Sequence, residues 1–507
     1  MANGRQKRVS DIITPADIRT WTERNIIIIS AGTGRGKSYF IKNNLYQYAK
    51  ENGKKILFLI HRSNCAIQFK NEIERDKKDD VIDVFTYQKI EYDILNHDKH
   101  IDFRQYAYIV CDEFHYFISD ADFNKTTDVS FTEIMRQRSC IKIFMSATGE
   151  DVEHYLSDNY KQKVCKYELM PDYSYVSTLT FFSQTEDMEY LAEKFVSNGK
   201  KAIFFIQSAE KAYKLYKKYS QYSLFNCSKS NSHYKYVDKE AIEQMLRDER
   251  FNENLLITTA CFDAGANIVD KDVKYIVADI TDIGSLIQCL GRKRSQSKED
   301  KVNFFIKAVN NQKLSGLRSS AKKNIEMAEY LLSNNTQELI LKYPRQVDKN
   351  SIIYDDTKKN NQKNMSTKKV NMMIYKKKKS NIELYTYLMK TDFGFCKYMA
   401  RYLGFQDKEG HYTYLTFSKD YSLNAFLQRY VDENIVMLQK QDRKPLIDKL
   451  NVRSVNRKQL KGLDSLNAAL IELGLPYQIV QFMTNRTVDG KSKKYKQAWR
   501  VEKIDID

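Results

Sequence analysis

Strand-length runs of β-branched and aromatic residues recur through the first three hundred positions, and each is followed by sequence with helical spacing. "NIIIIS" (25–30), "KKILFLIH" (54–61), "YAYIVCDE" (106–113) and "IKIFMSAT" (141–148) form a first series. After a less regular stretch around Pro171 the pattern restarts with "KAIFFIQS", "YSLFNCS", "NLLITTA", "KYIVADI" and "VNFFIK". Apolar strands alternating with amphipathic segments predict a parallel sheet covered by helices on both faces. Two such α/β domains in tandem follow, with a boundary between residues 166 and 182 and no sequence self-similarity between the halves. At 507 residues there is room for about three domains of roughly 150 residues.

In an open parallel sheet, ligands gather beyond the carboxyl ends of the strands, so those ends carry the chemistry. The first reads "SAGTGRGKSYF", Ser30 to Phe40, a glycine-rich turn between an apolar run and a helical stretch. Backbone N–H groups and the positive end of a helix converge there, which suits phosphate. Gly34 and Gly36 permit close backbone approach, Lys37 reaches the outer phosphates, and the Ser38 hydroxyl suits Mg²⁺. The usual leading glycine is replaced by Ala31. A second end, "IVCDEFH", places Asp112 and Glu113 after an apolar run, one carboxylate for Mg²⁺ and one for the attacking water.

A formal net charge of +18 points to a polyanionic partner, nucleic acid or an anionic membrane surface. No apolar run approaches the roughly 18 residues of a membrane span, and the N-terminus lacks a secretory apolar core, so a cytoplasmic protein without a membrane partner is expected. The eight cysteines are scattered without a CxxC pair, which predicts buried free thiols rather than a structural metal.

Taken together, residues 20–310 resemble the superfamily 2 helicases, and within them the DExH group. "AGTGRGKS" is similar to that group's phosphate loop, "DEFH" (Asp112 to His115) to its DExH box, and "SAT" (Ser146 to Thr148) to its third motif. The resemblance implies two RecA-like domains that use ATP and Mg²⁺, with the nucleotide contacted by Ala31, Gly32, Thr33, Gly34, Arg35, Gly36, Lys37 and Ser38. Asp112 and Ser38 would serve the metal, Glu113 the water, and His115, Ser146 and Thr148 the coupling between nucleotide and nucleic acid. "LIHRSNCAIQF", "TYQKI", "FFIQSAEKA" and "TTACFDAGANI" resemble strand-contact motifs, placing Arg62, Thr86, Ser208 and Thr259 near a phosphate backbone.

Gly265 and Asn267 fall at nucleotide-side positions of the same fifth motif, Asn267 where many relatives carry aspartate. "QCLGRKR" resembles the sixth motif, with Gln288, Arg292 and Arg294 as catalytic residues. Gln288 and Arg292 share a helical face at i and i+4, whereas Arg294 at i+6 reaches the same place only if the helix ends near Gly291. Either arginine can act as a finger from the second domain. The "GRKR" form and the lysine-rich composition look like helicases of phages and mobile elements.

The expected organisation is a first RecA-like domain (1–170), a second (171–312), a helical extension (313–350), a basic linker (351–380) and an accessory C-terminal domain (381–507). Residues 357–379 contain nine lysines and no acidic residue, a composition that predicts a linker or arm without order. The last segment is mainly helical and ends in strand-like runs around Asp489 and Gly490, either a winged-helix element or plain helical packing. Trp21 is either a base-stacking or a packed aromatic. The implied partner is nucleic acid, DNA ahead of RNA, held as a single strand in a tracking groove. The leading expectation is an ATP-dependent helicase or translocase; a duplex translocase without unwinding, an ATP-switched replication initiator and an RNA helicase are the alternatives.

Overall fold

The computed structural model describes residues 7–504 except 33, 62, 97–100, 120–123, 261–266, 361–362, 406–411, 416–418, 453–458, 474 and 489–490. The chain forms two compact units, Met1–Thr413 and Tyr414–Asp507. The first contains both predicted sheets. Strands β1 (Asn25–Ala31), β2 (Lys55–Ile60), β3 (Ile82–Thr86), β4 (Tyr106–Asp112), β5 (Ile141–Ser146) and β6 (Lys163–Leu169) lie in the order β3-β2-β4-β5-β1-β6. Every pairing in this lobe is parallel. Strands β7 (Val176–Phe182), β8 (Lys201–Ile206), β9 (Ser223–Asn226), β10 (Leu255–Thr258), β11 (Val273–Asp279) and β12 (Val302–Lys307) form the second lobe, β7-β12-β11-β8-β10-β9, again parallel. These are two tandem RecA-like α/β domains, and every apolar run of the sequence reading is one of their strands.

β1 shows why such runs are continuous rather than alternating. Ile27 and Ile29 pack beneath Phe40 and Ile41 on one face of the sheet, whereas Ile26 and Ile28 pack with Phe117, Phe131 and Phe144 on the other. All four isoleucines are completely buried. With both faces covered, apolar residues are needed at every position, each stabilising by about 1.5–3 kcal/mol relative to an exposed side chain. Trp21 is a packed aromatic: it is 5 % exposed, lies against Phe40 and Tyr167, and donates Nε1–H to Tyr167 Oη at 3.0 Å.

The described residues of the expected basic linker, 351–380, carry secondary structure. Two helices (Asn311–Ser333 and Thr336–Lys342) lead into an antiparallel hairpin, β13 (Ile353–Asn360) and β14 (Lys363–Val370), and then into the helix Met372–Leu388. Most of its counter-charges come from outside the segment. Lys369 pairs with Asp128 at 3.2 Å, Lys376 with Asp158 at 2.6 Å, and Lys379 with Glu329 at 3.3 Å. Lys368 pairs with Asp348 at 2.9 Å and Asp355 at 3.0 Å. Tyr354 donates its hydroxyl to Asp128 at 3.1 Å. Buried Asn371 caps the following helix, accepting from Met373 N and Ile374 N, and donates Nδ2–H to Lys125 O and Thr127 Oγ1. Met373 enters the first lobe's core. Local composition shows the lysines and Asp355 but not Asp128, Asp158 or Glu329.

The helix Gly394–Tyr402 also falls in the first unit, which runs to Thr413. The second unit contains helices Lys419–Asp432, Lys444–Leu450 and Leu463–Glu472, then paired strands Tyr477–Val488 and Lys491–Lys503. A single antiparallel bridge, Met437 to Trp499, lies between the first and second helices in sequence and extends this hairpin. Helix, bridged residue, two helices and a hairpin follow one another in the order of a winged helix, around a core of Leu427, Leu446, Leu466, Leu470, Tyr477 and Trp499. Among the described residues, no helix is long and apolar enough to cross a membrane.

Candidate nucleotide site at the seam between the lobes

The loop after β1 takes the conformation that its glycines allow. Gly34 and Gly36 lie at φ +80° and +81°, the left-handed region open to glycine at no steric cost. The chain then enters a helix at Lys37–Phe40, which continues through a π-helical turn, Ile41–Leu45, into Tyr46–Glu51. Lys37 is buried, and its ammonium donates to Ala31 O at 2.9 Å. Together with Gly34, Gly36 and Ser38 it lines a cavity of about 350 Å³ whose other walls include Asp112, Glu113, Asn267, Gln288, Arg292 and Arg294.

Both carboxylates follow β4, and their environments differ. Burial and the neighbouring charge of Glu113 push the Asp112 carboxyl up to about 7, and its Oδ1 has no hydrogen-bond partner. Burial would also raise Glu113, but Lys37, His115 and Arg292 outweigh it and hold this carboxyl well below the usual carboxylate range. Glu113 adopts φ +49°, a left-handed conformation costly for a non-glycine residue. The turn is held from behind. Tyr87 donates its hydroxyl to Asp112 O at 2.9 Å and stacks on Tyr116, which in turn donates to buried Glu91 at 3.0 Å.

Gly149 supports the same turn. A Cβ there would lie 2.1 Å from Cζ of Phe114, a ring only 1 % exposed between Glu113 and His115. We expect Gly149→Ala to lower stability by about 1–3 kcal/mol, the usual cost of overpacking. That corresponds to roughly 2–4 °C in Tm per kcal/mol for a domain of this size, measured by thermal melting. Adding Phe114→Leu should recover part of the loss.

The second lobe reaches this cavity by two routes. The helix Ile283–Gly291 stops at Gly291, as the arginine spacing requires. After it, Ile268 N donates to Arg292 O and Arg294 N to Ile268 O, both at 2.8 Å, which zips the exit of the sixth motif to that of the fifth. Lys293, between the arginines, turns away to pair with Asp300 at 2.6 Å. Arg292 is 8 % exposed, and its Nε lacks a hydrogen-bond partner. Arg294 donates Nε–H to Asn267 Oδ1 at 2.8 Å, and its Nη1 lies 3.3 Å from where a Gly34 Cβ would stand. Burial and Arg292 bring Arg294 down to about 10, which leaves it charged at neutral pH.

The other route is a relay. Gln288 Nε2 lies 2.7 Å from His115 Nε2 and 3.3 Å from Thr148 Oγ1. His115 Nδ1 lies 2.8 Å from Ser146 Oγ, which accepts from Thr148 N at 3.0 Å. His115 Nδ1 also lies 3.4 Å from Glu113 Oε2, so the relay touches the carboxylate as well.

The structure therefore brings Gly34, Gly36, Lys37, Ser38, Asp112, Glu113, Asn267, Gln288, Arg292 and Arg294 to one cavity, with Ser146 and Thr148 joined through His115 and Gln288. Other expected residues lie elsewhere. Arg35 lines a separate cavity with Gly32, approaching Asp172 at 4.0 Å and Lys7 O at 3.5 Å. Thr86 and Ser208 end strand regions as caps, accepting from Lys89 N and Lys211 N, and Thr259 follows β10 with 7 % exposure. Thr33, Arg62 and Gly265 lie outside the described residues. Tyr87, Glu91 and Gly149 were not anticipated. Only the glycine after "SAT" offers a signal in the sequence.

No protein-family model matches the chain, and no curated protein matches it. Among solved structures it is similar to Saccharomyces cerevisiae Dbp5 bound to RNA and ADP BeF3, at 14 % identity over 57 % of this chain and 82 % of that one, TM-score 0.44. It is similar also to the DEAD-box helicase Mss116 bound to ssRNA and UDP-BeF, at 14 % identity over 56 % and 67 % of the two chains, TM-score 0.43. Mycobacterium smegmatis helicase Lhr bound to ssDNA and AMP-PNP gives 12 % over 60 % and 48 %, TM-score 0.40. At such identities and scores no residue's role is carried across.

Proposed function

We propose that the chain is an ATP-dependent nucleic-acid motor, a helicase or translocase, acting on DNA in preference to RNA. One observation carries this reading: two guanidiniums from the second lobe, Arg292 and Arg294, share a cavity with the phosphate loop and carboxylate pair of the first. Two desolvated cations beside a buried lysine call for a multiply charged anion. The unpartnered Asp112 Oδ1 and Arg292 Nε, with the left-handed turns at Gly34 and Gly36, fit a nucleoside triphosphate with Mg²⁺.

Gly34, Gly36 and Lys37 would hold its phosphates, and Ser38 and Asp112 its metal, which when bound neutralises phosphate charge and orients the transferring group. Glu113, held ionised by its neighbours, orients a water and accepts its proton at a carboxylate oxygen. Arg292 stabilises charge as it builds on the transferring oxygens, while Asn267 orients Arg294 over Gly34. The His115–Gln288 contact ties this chemistry to the angle between the lobes, so lobe closure and hydrolysis change together. Thr86, Ser208, Thr259 and Arg62 are proposed to contact sugar and phosphate without reading sequence.

The test is ATP turnover with and without single-stranded DNA and RNA, alongside strand displacement. Stimulation by a strand is expected; turnover indifferent to both nucleic acids overturns the motor reading and favours an ATP-set switch. Lys37→Ala should weaken nucleotide binding about 10- to 100-fold, the effect of removing a charge-assisted contact of about 1.5–3 kcal/mol, measured by titration with a fluorescent ATP analogue.

A further inference from the structure

We propose that the second unit binds duplex nucleic acid through the arm of its hairpin and not through the helix that precedes it. This extends the nucleic-acid reading above to a separate surface and rests on residues of this unit alone.

The hairpin is longer than its core needs. At its base Tyr477, Ile479, Ala498, Trp499 and Val501 are all buried. Beyond the register shift between Phe482 and Thr484 the pairing continues to Val488 and Lys491, but the alternation of buried and exposed positions is lost. Asn485, Arg486 and Thr487 are exposed on one strand, and Ser492, Lys493, Lys494 and Lys496 on the other. A paired ribbon with no apolar face gains little from packing and is marginal by itself in water. Packing does not explain its length.

Its charge does. Between Met483 and Gln497 the chain carries Arg486, Lys491, Lys493, Lys494 and Lys496 against Asp489 alone. Arg486 stands directly opposite Lys493 in the register, a like-charge pair that destabilises a sheet unless an anion lies between or beside the two. Thr484 to Val488 spans roughly 13 Å at about 3.3 Å per residue, enough to cross a minor groove about 6 Å wide and touch phosphates on both sides.

The helix Leu463–Glu472, which stands where a winged helix usually presents its reading helix, has the opposite character. It contains no lysine or arginine, and it exposes Asp464, Ala468, Ile471 and Glu472 while burying Leu466 and Leu470. Two carboxylates on that face repel a phosphate backbone. Recognition by the arm is therefore a backbone contact, strong in salt dependence and indifferent to sequence.

The experiment uses the full chain without nucleotide and follows the anisotropy of a labelled blunt duplex across a salt series. A variant with Lys493→Gln, Lys494→Gln and Lys496→Gln should lose about 10- to 100-fold in duplex affinity, and its slope of log K against log salt should fall by about 2.7, about 0.9 for each phosphate contact removed. Arginine at the same three positions should restore both, which a folding defect would not allow. Asp464→Asn with Glu472→Gln should leave affinity within about twofold. Unchanged affinity and slope in the glutamine variant overturn the proposal, as does a loss seen only with phosphatidylserine vesicles or only with single strands. ATP turnover of the glutamine variant should match the unaltered chain. A chain without turnover but with arm-dependent duplex binding would overturn the motor reading and leave this one standing.

Discussion

Arg292→Ala is expected to lower kcat for ATP hydrolysis by about 10³-fold or more, the effect of removing an arginine that stabilises transferring phosphoryl charge. Arg292 is the deeper of the two guanidiniums: it is 8 % exposed, its Nε has no partner, and its charge helps hold Glu113 ionised. Arg294 is tied by Nε to Asn267 and leans over Gly34, a position suited to gripping phosphate in the ground state. The two should therefore separate kinetically. Arg292→Ala lowers kcat with KM nearly unchanged, whereas Arg294→Ala raises KM and Asn267→Ala reproduces part of that rise. Steady-state kinetics with saturating single strand checks this. Equal losses of kcat in both alanine variants with no change in KM would remove the division of labour between them.

Glu113→Gln should lower turnover by about 10²- to 10⁴-fold while leaving nucleotide binding within a few-fold, because glutamine can orient a water but cannot take its proton. The reason is electrostatic. Lys37, His115 and Arg292 keep this carboxylate low, so it remains the base throughout the neutral range, while burial and Glu113 push Asp112 upward. The left-handed backbone at Glu113 marks a side chain aimed by the turn rather than by its own preference. Single-turnover hydrolysis and equilibrium binding of a nucleotide analogue separate the two effects. Normal turnover in the variant would assign the proton to another group.

Much of the site was legible because its parts are contiguous. A phosphate loop states its own conformation: Gly34 and Gly36 permit the left-handed turns, and the apolar run before them is buried on both faces. "DEFH" and "SAT" likewise sit at ends of strands that could be recognised from their apolar runs. The direction of Arg35 was not legible: the loop turns its guanidinium toward Asp172 and Lys7 O. Nor were the partners of the lysine-rich segment 357–379. Its charge suggested an open arm, but Asp128, Asp158 and Glu329 arrive from distant sequence to meet it.

What the sequence alone determined is the succession of strands and helices, the two-lobed plan and the chemistry at single strand ends, because periodicity and turn stereochemistry act over a few neighbouring residues. Only the tertiary structure decided which strand ends face each other. The pairing of Ile268 with the chain after Gly291 sets Asn267 on Arg294 and brings both arginines to the cavity that Lys37 lines. Meetings of that kind depend on where each chain leaves its sheet and on which buried charge must find a partner, and no local pattern of residues records either.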